Sequence, residues 1–90
     1  MNNVIYLVTT IGCYACKCMK NILEEIQKDN KTFTIITEDF RDVPEYISNS
    51  VILTDFPTVV FIKNNVIKYH FIGTTSAKNL QSIINDIKFN

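Results

Sequence analysis

The sequence predicts an α/β fold of order βαβ-α-ββα, a four-stranded mixed sheet flanked by three helices. Three observations predict it. Val4-Ile5-Tyr6-Leu7-Val8 is a continuous apolar run without polar alternation, the pattern of a strand covered on both faces. Ala15, Met19, Ile22, Leu23 and Ile26 then recur at helical spacing, with Lys17, Lys20, Glu24 and Lys28 on the other faces. Residues 58–62 and 66–72 are two strand-like runs separated by Lys63-Asn64-Asn65, a short polar interval that suits a tight hairpin.

Taken in order, the first strand belongs at the centre of the sheet because nothing in it is suited to solvent. The helix behind it ends in the polar run Lys28-Asp29-Asn30-Lys31. Residues 32–37, rich in Thr, Phe and Ile, read as the second strand and complete a βαβ unit of parallel strands. Asp42-Val43-Pro44-Glu45 combines an Asp cap, an early proline and a Glu three residues after the cap, so a short helix through Ile47 is expected to start there. The hairpin closes on asparagines, which tolerate left-handed backbone. Ser76 caps a last helix whose apolar face is Leu80, Ile83, Ile84 and Ile87. No repeat, low-complexity segment or linker interrupts residues 1–90, so one domain is expected.

With 90 residues and 47% hydrophobic content, the chain supports one core. Nine basic and nine acidic side chains leave no net charge, which argues against nucleic acid or an anionic membrane as a partner, and a monomer is expected. No apolar stretch approaches the roughly 20 residues that span a bilayer. The N-terminus has no basic region or cleavage site, so no signal peptide is expected. Three cysteines, an odd number grouped closely, suit a reduced-compartment site better than a secreted disulfide framework. A cytoplasmic address follows, and no cofactor is expected.

The chemistry concentrates in Cys13-Tyr14-Ala15-Cys16, placed directly between the apolar strand and the amphipathic helix. A helix start offers unpaired N–H groups and a positive dipole end, which favour a thiolate. A second cysteine one turn later can resolve the mixed disulfide that the first one forms. Cys18 extends the pattern to C-x-x-C-x-C. It reads as a half-buried apolar filler, with a third soft metal ligand as the sharper alternative; zinc would need a fourth ligand, and the one histidine, His70, is distant in sequence. His70 itself reads as a plain strand histidine beside Lys68.

The element order, the C-x-x-C and Phe56-Pro57-Thr58 together resemble the thioredoxin family over nearly the whole chain. The intervals from Cys16 to Pro57 and from Pro57 to Gly73 fit that family as well. The resemblance implies a protein disulfide oxidoreductase with Cys13 as attacking thiolate and Cys16 as the more buried resolving thiol. It also implies a cis Pro57 that lets the Phe56 backbone pair with an extended substrate, and a reductase as electron donor. Tyr14, Phe56, Pro57, Gly73 and Thr74, with Ile11, are then expected to line an apolar substrate groove, which a side chain at position 73 would crowd.

The chain also departs from the family. It begins at the central strand, closer in outline to a glutaredoxin or a miniature thioredoxin. Yet Gly73-Thr74-Thr75-Ser76 lacks the residues expected to hold glutathione, and Leu7 stands where thioredoxins usually bury an acid. Two other functions compete. One is a metal-delivery module using Cys13, Cys16 and Cys18, since Gly12-Cys13-Tyr14-Ala15-Cys16 is similar to the loop of small copper chaperones, whose βαββαβ order differs. The other is an interaction module without turnover.

Overall fold

A computed structural model describes residues 2–89. Its elements run β1 (Asn3–Thr9), α1 (Tyr14–Asp29), β2 (Thr34–Asp39), α2 (Glu45–Ser48), β3 (Thr58–Lys63), β4 (Val66–Ile72) and α3 (Ala77–Asp86). The sheet order is β2-β1-β3-β4, with β1 parallel to β2 and antiparallel to β3, and β4 antiparallel to β3. This is the α/β thioredoxin-like fold, a four-stranded mixed sheet with three helices.

The central strand divides the core. Ile5 and Leu7 pack with Met19 and Leu23 of α1, Val59 and Phe61 of β3, and Leu80 and Ile84 of α3. Tyr6 and Val8 face the other way, into a smaller cluster with Ile47 of α2, Val51, Val60 and Ile62. Because side chains alternate along a strand, an apolar residue at every position is what two covered faces require. The hairpin turn uses Asn64 and Asn65, both with positive φ (52° and 67°), the conformation that matches the twist of a two-residue hairpin. Ser76 caps α3 as expected, its hydroxyl accepting from Asn79 N at 3.1 Å.

Three features differ from the sequence reading. The second strand starts at Thr34 and not at residue 32. The carbonyls of Thr32 and Phe33 accept from the side-chain nitrogens of Asn3 (3.1 Å) and Gln27 (2.9 Å), so these residues bond to side chains at the core's edge while the Phe33 ring is buried. At the far end the ladder extends, with Phe40 N donating to Thr9 O at 2.9 Å.

The second helix begins after Pro44, whose carbonyl accepts from Ile47 N at 3.0 Å, and Asp42 does not cap it; the amide of Asp42 instead donates to Asp39 O at 2.9 Å. Proline holds the residue before it out of the helical region, so the helix cannot reach back to Asp42.

The third difference is a bulge. Phe61 pairs with Tyr69 but Ile62 pairs with Ile67, so Lys68 is the extra residue. The shift puts Phe71 against the α1 and α3 cluster and Ile67 against the α2 cluster, two residues that simple alternation would place on one face.

The C-terminus carries a cap that the periodicity did not show. Lys88 adopts φ 60°, and the chain folds back so that Phe89 N donates to Ile84 O (3.0 Å) and Lys88 N to Asn85 O (3.2 Å). This double bond pattern, with an apolar contact between the two ends of the turn, is the Schellman arrangement, which usually takes glycine at the left-handed position. Phe89 is fully buried, its ring centroid 6.2 Å from that of Phe61. Replacing Phe89→Ala is expected to cost about 3–5 kcal/mol in urea unfolding, the range for a buried aromatic. Lys88→Gly is expected to raise stability by about 1 kcal/mol by relieving the left-handed backbone; a loss on Lys88→Gly would show that this turn is not what anchors Phe89.

Candidate active site

The site is built from the C-terminal end of β1 outward. After Thr9, the last residue of β1, the chain leaves the sheet at Thr10, and Gly12 turns it with φ +75°, a conformation a side chain rarely adopts. Cys13 follows as the N-cap of α1 in extended conformation, its Sγ accepting from Cys16 N at 3.0 Å. A sulfur therefore takes the capping place of a hydroxyl or carboxylate, and α1 carries no acid in its first turn. Cys13 and Cys16 form a disulfide with Cα atoms 5.3 Å apart. The two are unequally placed: Cys16 is 4% exposed, whereas Cys13 is half-buried. Tyr14 and Ile11, at 79% and 81%, stand open on either side.

Cys18 is half-buried and free. A hydrogen bond with it, one turn along α1, raises the Tyr14 phenol above its usual range. Among the described residues, no three His, Cys, Asp or Glu gather where they could hold a metal ion. His70 lies exposed on β4 opposite Val60.

The other expected site residues sit at the same end of the sheet. Val8 pairs with Thr58, and Thr58 with Ile72, so Pro57 and Gly73 lie next to the segment that leads into the dithiol. The Phe56–Pro57 bond is cis, and Pro57 is buried. Its carbonyl accepts from Gly73 N at 2.8 Å, and Thr58 Oγ1 donates to Asp55 O at 2.8 Å. The Phe56 ring leans on Phe40 with centroids 5.1 Å apart, and the Arg41 guanidinium lies over Phe40 at 5.8 Å. Thr74 is exposed. Gly73 has φ +95°, and a Cβ there would meet nothing within 4 Å, so backbone conformation, and not crowding within the chain, is what calls for glycine.

The dithiol also borders a cleft that the sequence reading did not foresee. It encloses about 480 Å³ on the flank toward β2 and is lined by Thr9, Thr10, Gly12, Cys13, Tyr14, Cys16, Lys17, Lys20 and Thr37. It takes only Tyr14 from the expected groove lining; Phe56, Pro57, Gly73 and Thr74 stand on the β3–β4 side. Lys17 and Lys20, three positions apart beside a cysteine, were the signal available for it.

The acids near this end are turned away or occupied. Leu7, paired with Thr37, is fully buried. Glu38 faces the α2 side and accepts from the Tyr6 hydroxyl; burial first, and this bond second, push the Tyr6 phenol well up. Asp39 is held by Arg41 through Nε at 2.8 Å, Nη2 at 3.2 Å and the backbone N at 2.9 Å, which keeps its carboxyl below the usual range.

No curated protein matches this sequence. Among solved structures, a malarial protein shares 17% identity with TM-score 0.77, over 96% of this chain and 97% of its own. Thioredoxin-2 of the malaria parasite, described as a component of the parasite's protein secretion machinery, shares 16% with TM-score 0.78, over 94% of this chain and 82% of its own. Desulfothioredoxin from Desulfovibrio vulgaris Hildenborough, in its reduced form, shares 22% with TM-score 0.82, over 96% and 82%. At such identities these likenesses show the fold. The thioredoxin sequence pattern matches residues 3–86, nearly the full length, with the Cys13–Cys16 disulfide at its expected place. The chain therefore belongs to the thioredoxin family.

Proposed function

We propose that this protein is a thiol–disulfide oxidoreductase that reduces protein disulfides through Cys13 and Cys16. The observation that carries the reading is the disulfide at the head of α1, with one sulfur half-buried and accepting a backbone N–H and the other nearly enclosed. In the reduced protein the Cys13 thiolate attacks one sulfur of the target disulfide. The bond between the target sulfurs breaks, one leaves as thiolate and takes a proton from water, and a mixed disulfide forms. Cys16 then loses its proton and attacks Cys13 Sγ, expelling the second target thiolate and closing the Cys13–Cys16 bond. The target gains two electrons from the protein and two protons, one from water and one made available by Cys16. An external dithiol reductase restores the reduced protein, and a reducing compartment such as the cytoplasm suits that cycle.

The unequal burial supports the assignment of roles, since an attacking sulfur must meet its target while a resolving sulfur need only reach its neighbour. The Cys16 N–H pointed at Cys13 Sγ is a donor already in place for the thiolate. Tyr14, together with Phe56, Pro57, Gly73 and Thr74 on the β3–β4 side, is proposed to receive the target chain. Cys18 has no part in the cycle.

Insulin reduction driven by dithiothreitol tests this reading. Cys13→Ser is expected to remove the catalysed rate, Cys16→Ser to accumulate a mixed disulfide, and Cys18→Ser to keep turnover within about twofold. Catalysis that survives Cys13→Ser would overturn the proposal. In the reduced protein, brief treatment with iodoacetamide followed by peptide mass mapping is expected to label Cys13 well before Cys16. Equal labelling of the two would contradict the roles given to them.

A further inference from the structure

The β2-side cleft shares Cys13, Cys16 and Tyr14 with the proposed cycle and groove, but neither uses its other walls, Lys17, Lys20, Thr10 and Thr37 among them. Its walls include both cysteines of the dithiol, so any group held there lies beside the reacting sulfurs. Its charged lining is of one sign: Lys17 and Lys20 contribute two cations, Thr10 and Thr37 contribute hydroxyls, and no carboxylate takes part. In a chain with no net charge, this is a local arrangement and not a reflection of overall basicity.

The two lysines are also uncommitted. Among the described residues the ion pairs are Lys28 with Glu25 and Arg41 with Asp39. Asp39 has the parity of Thr37 and so shares its sheet face, and it would be the carboxylate best placed to neutralise the cleft. Arg41 holds it in three hydrogen bonds instead. Glu38 points to the opposite face, where Tyr6 binds it. Asp39 and Glu38 thus have partners outside the cleft, and among the described residues neither Lys17 nor Lys20 is in an ion pair.

We propose that the cleft is a subsite for a carboxylate carried by the target protein within a few residues of the disulfide being reduced, with Lys17 and Lys20 as its cationic contacts. It rests on the disulfide-reductase reading and adds a substrate class to it: disulfides with an acidic flank. The acidic side chain enters from the β2 side while the target backbone occupies the Pro57 side, so the two contacts together set the direction in which a target lies across Cys13. Complementary charge of this kind chooses among partners and fixes register more than it adds affinity.

Two peptides test it, each closed by one disulfide and identical except for Glu or Gln beside one cysteine. Pre-reduced protein is mixed with each, and the rate constant for its oxidation is divided by that of dithiothreitol on the same peptide, which removes the intrinsic effect of Glu on the disulfide. The Glu peptide is expected to react about three- to tenfold faster at low salt, the range two partly exposed charge contacts support, and to lose this advantage in about 1 M salt. The ratio is expected to fall to about one in the Lys17→Gln/Lys20→Gln double variant and below one in Lys17→Glu/Lys20→Glu. Equal rates for the two peptides in the unaltered protein, or a preference that survives both double variants, would overturn the subsite and leave the reductase reading standing. No oxidation of the protein by either peptide would overturn both.

Discussion

The double burial of β1 is the constraint on which the rest of the structure depends. Ile5, Leu7 and Val8 are fully enclosed and Tyr6 nearly so, the odd positions under α1 and α3 and the even ones under α2. Each such side chain is worth about 1.5–3 kcal/mol in burial. A slip of one residue against β2 or β3 would exchange the faces and present each side chain to a cavity shaped for its neighbour. The register is therefore fixed, and with it the point at which the chain leaves the sheet. That point sets where Gly12 turns and where Cys13 caps α1. Through the pairing of Val8 with Thr58 it also sets where Pro57 stands.

The start of the same strand ties the molecule's other end. The Asn3 side-chain nitrogen donates to Thr32 O at 3.1 Å and to Phe89 O at 3.2 Å, joining β1, the approach to β2 and the turn after α3. Asn3 is one of two buried polar residues among those described, and it sits where two other chain segments leave carbonyls to be satisfied. Phe61, with the rings of Tyr69, Phe71 and Phe89 about it at 6.0, 6.1 and 6.2 Å, fills the space between. Anchoring at this end leaves the opposite end, where the dithiol lies, free to carry exposed apolar residues such as Ile11 and Tyr14.

What the sequence made legible, and what it hid, divides along physical lines. β1, α1, the hairpin and α3 were legible because burial dictates residue type at each position and asparagine and serine have local turn and cap chemistry. The dithiol was legible through its spacing and its place before an amphipathic helix, and the cis Pro57 through the resemblance to thioredoxins. The start of β2 was not, because its backbone there bonds to side chains, Asn3 from the far side of α1 in sequence and Gln27 from the last turn of α1, and not to a strand. Asp42 looked like a cap by local chemistry, yet Pro44 overrode it through backbone sterics. The bulge at Lys68 preserves an apolar alternation that reads as an ordinary strand. Phe89 follows a lysine in left-handed backbone, where a glycine would have announced the turn. The cleft was hidden for another reason: Lys17 and Lys20 were visible as a pair, but Thr37 comes beside them only once β2 is laid parallel to β1.

Leu7 gives the site its electrostatic character. Thioredoxins usually bury an acid at this place beneath the dithiol. Here the position is filled by a fully enclosed leucine whose neighbour across the ladder, Thr37, is uncharged. A buried carboxylate costs desolvation and has to be satisfied, whereas leucine joins the core without either demand. The floor of the site thereby becomes part of what holds the fold together. The charges that remain close to the sulfurs are at the rim, on Lys17 and Lys20, where solvent keeps the cost of an unpaired cation low. In the proposed cycle a proton leaving Cys16 would find no carboxylate at position 7 to receive it, and the open cleft that Cys16 borders would give it a route to water. In the same cycle a Cys13 thiolate would have the Cys16 N–H as a donor already in place and the Lys17 and Lys20 cations in the same cleft, so its environment would respond to what binds at the rim. A target bearing a carboxylate there would neutralise those cations as it docks, and in doing so weaken the hold on the thiolate at the moment when that sulfur has to attack.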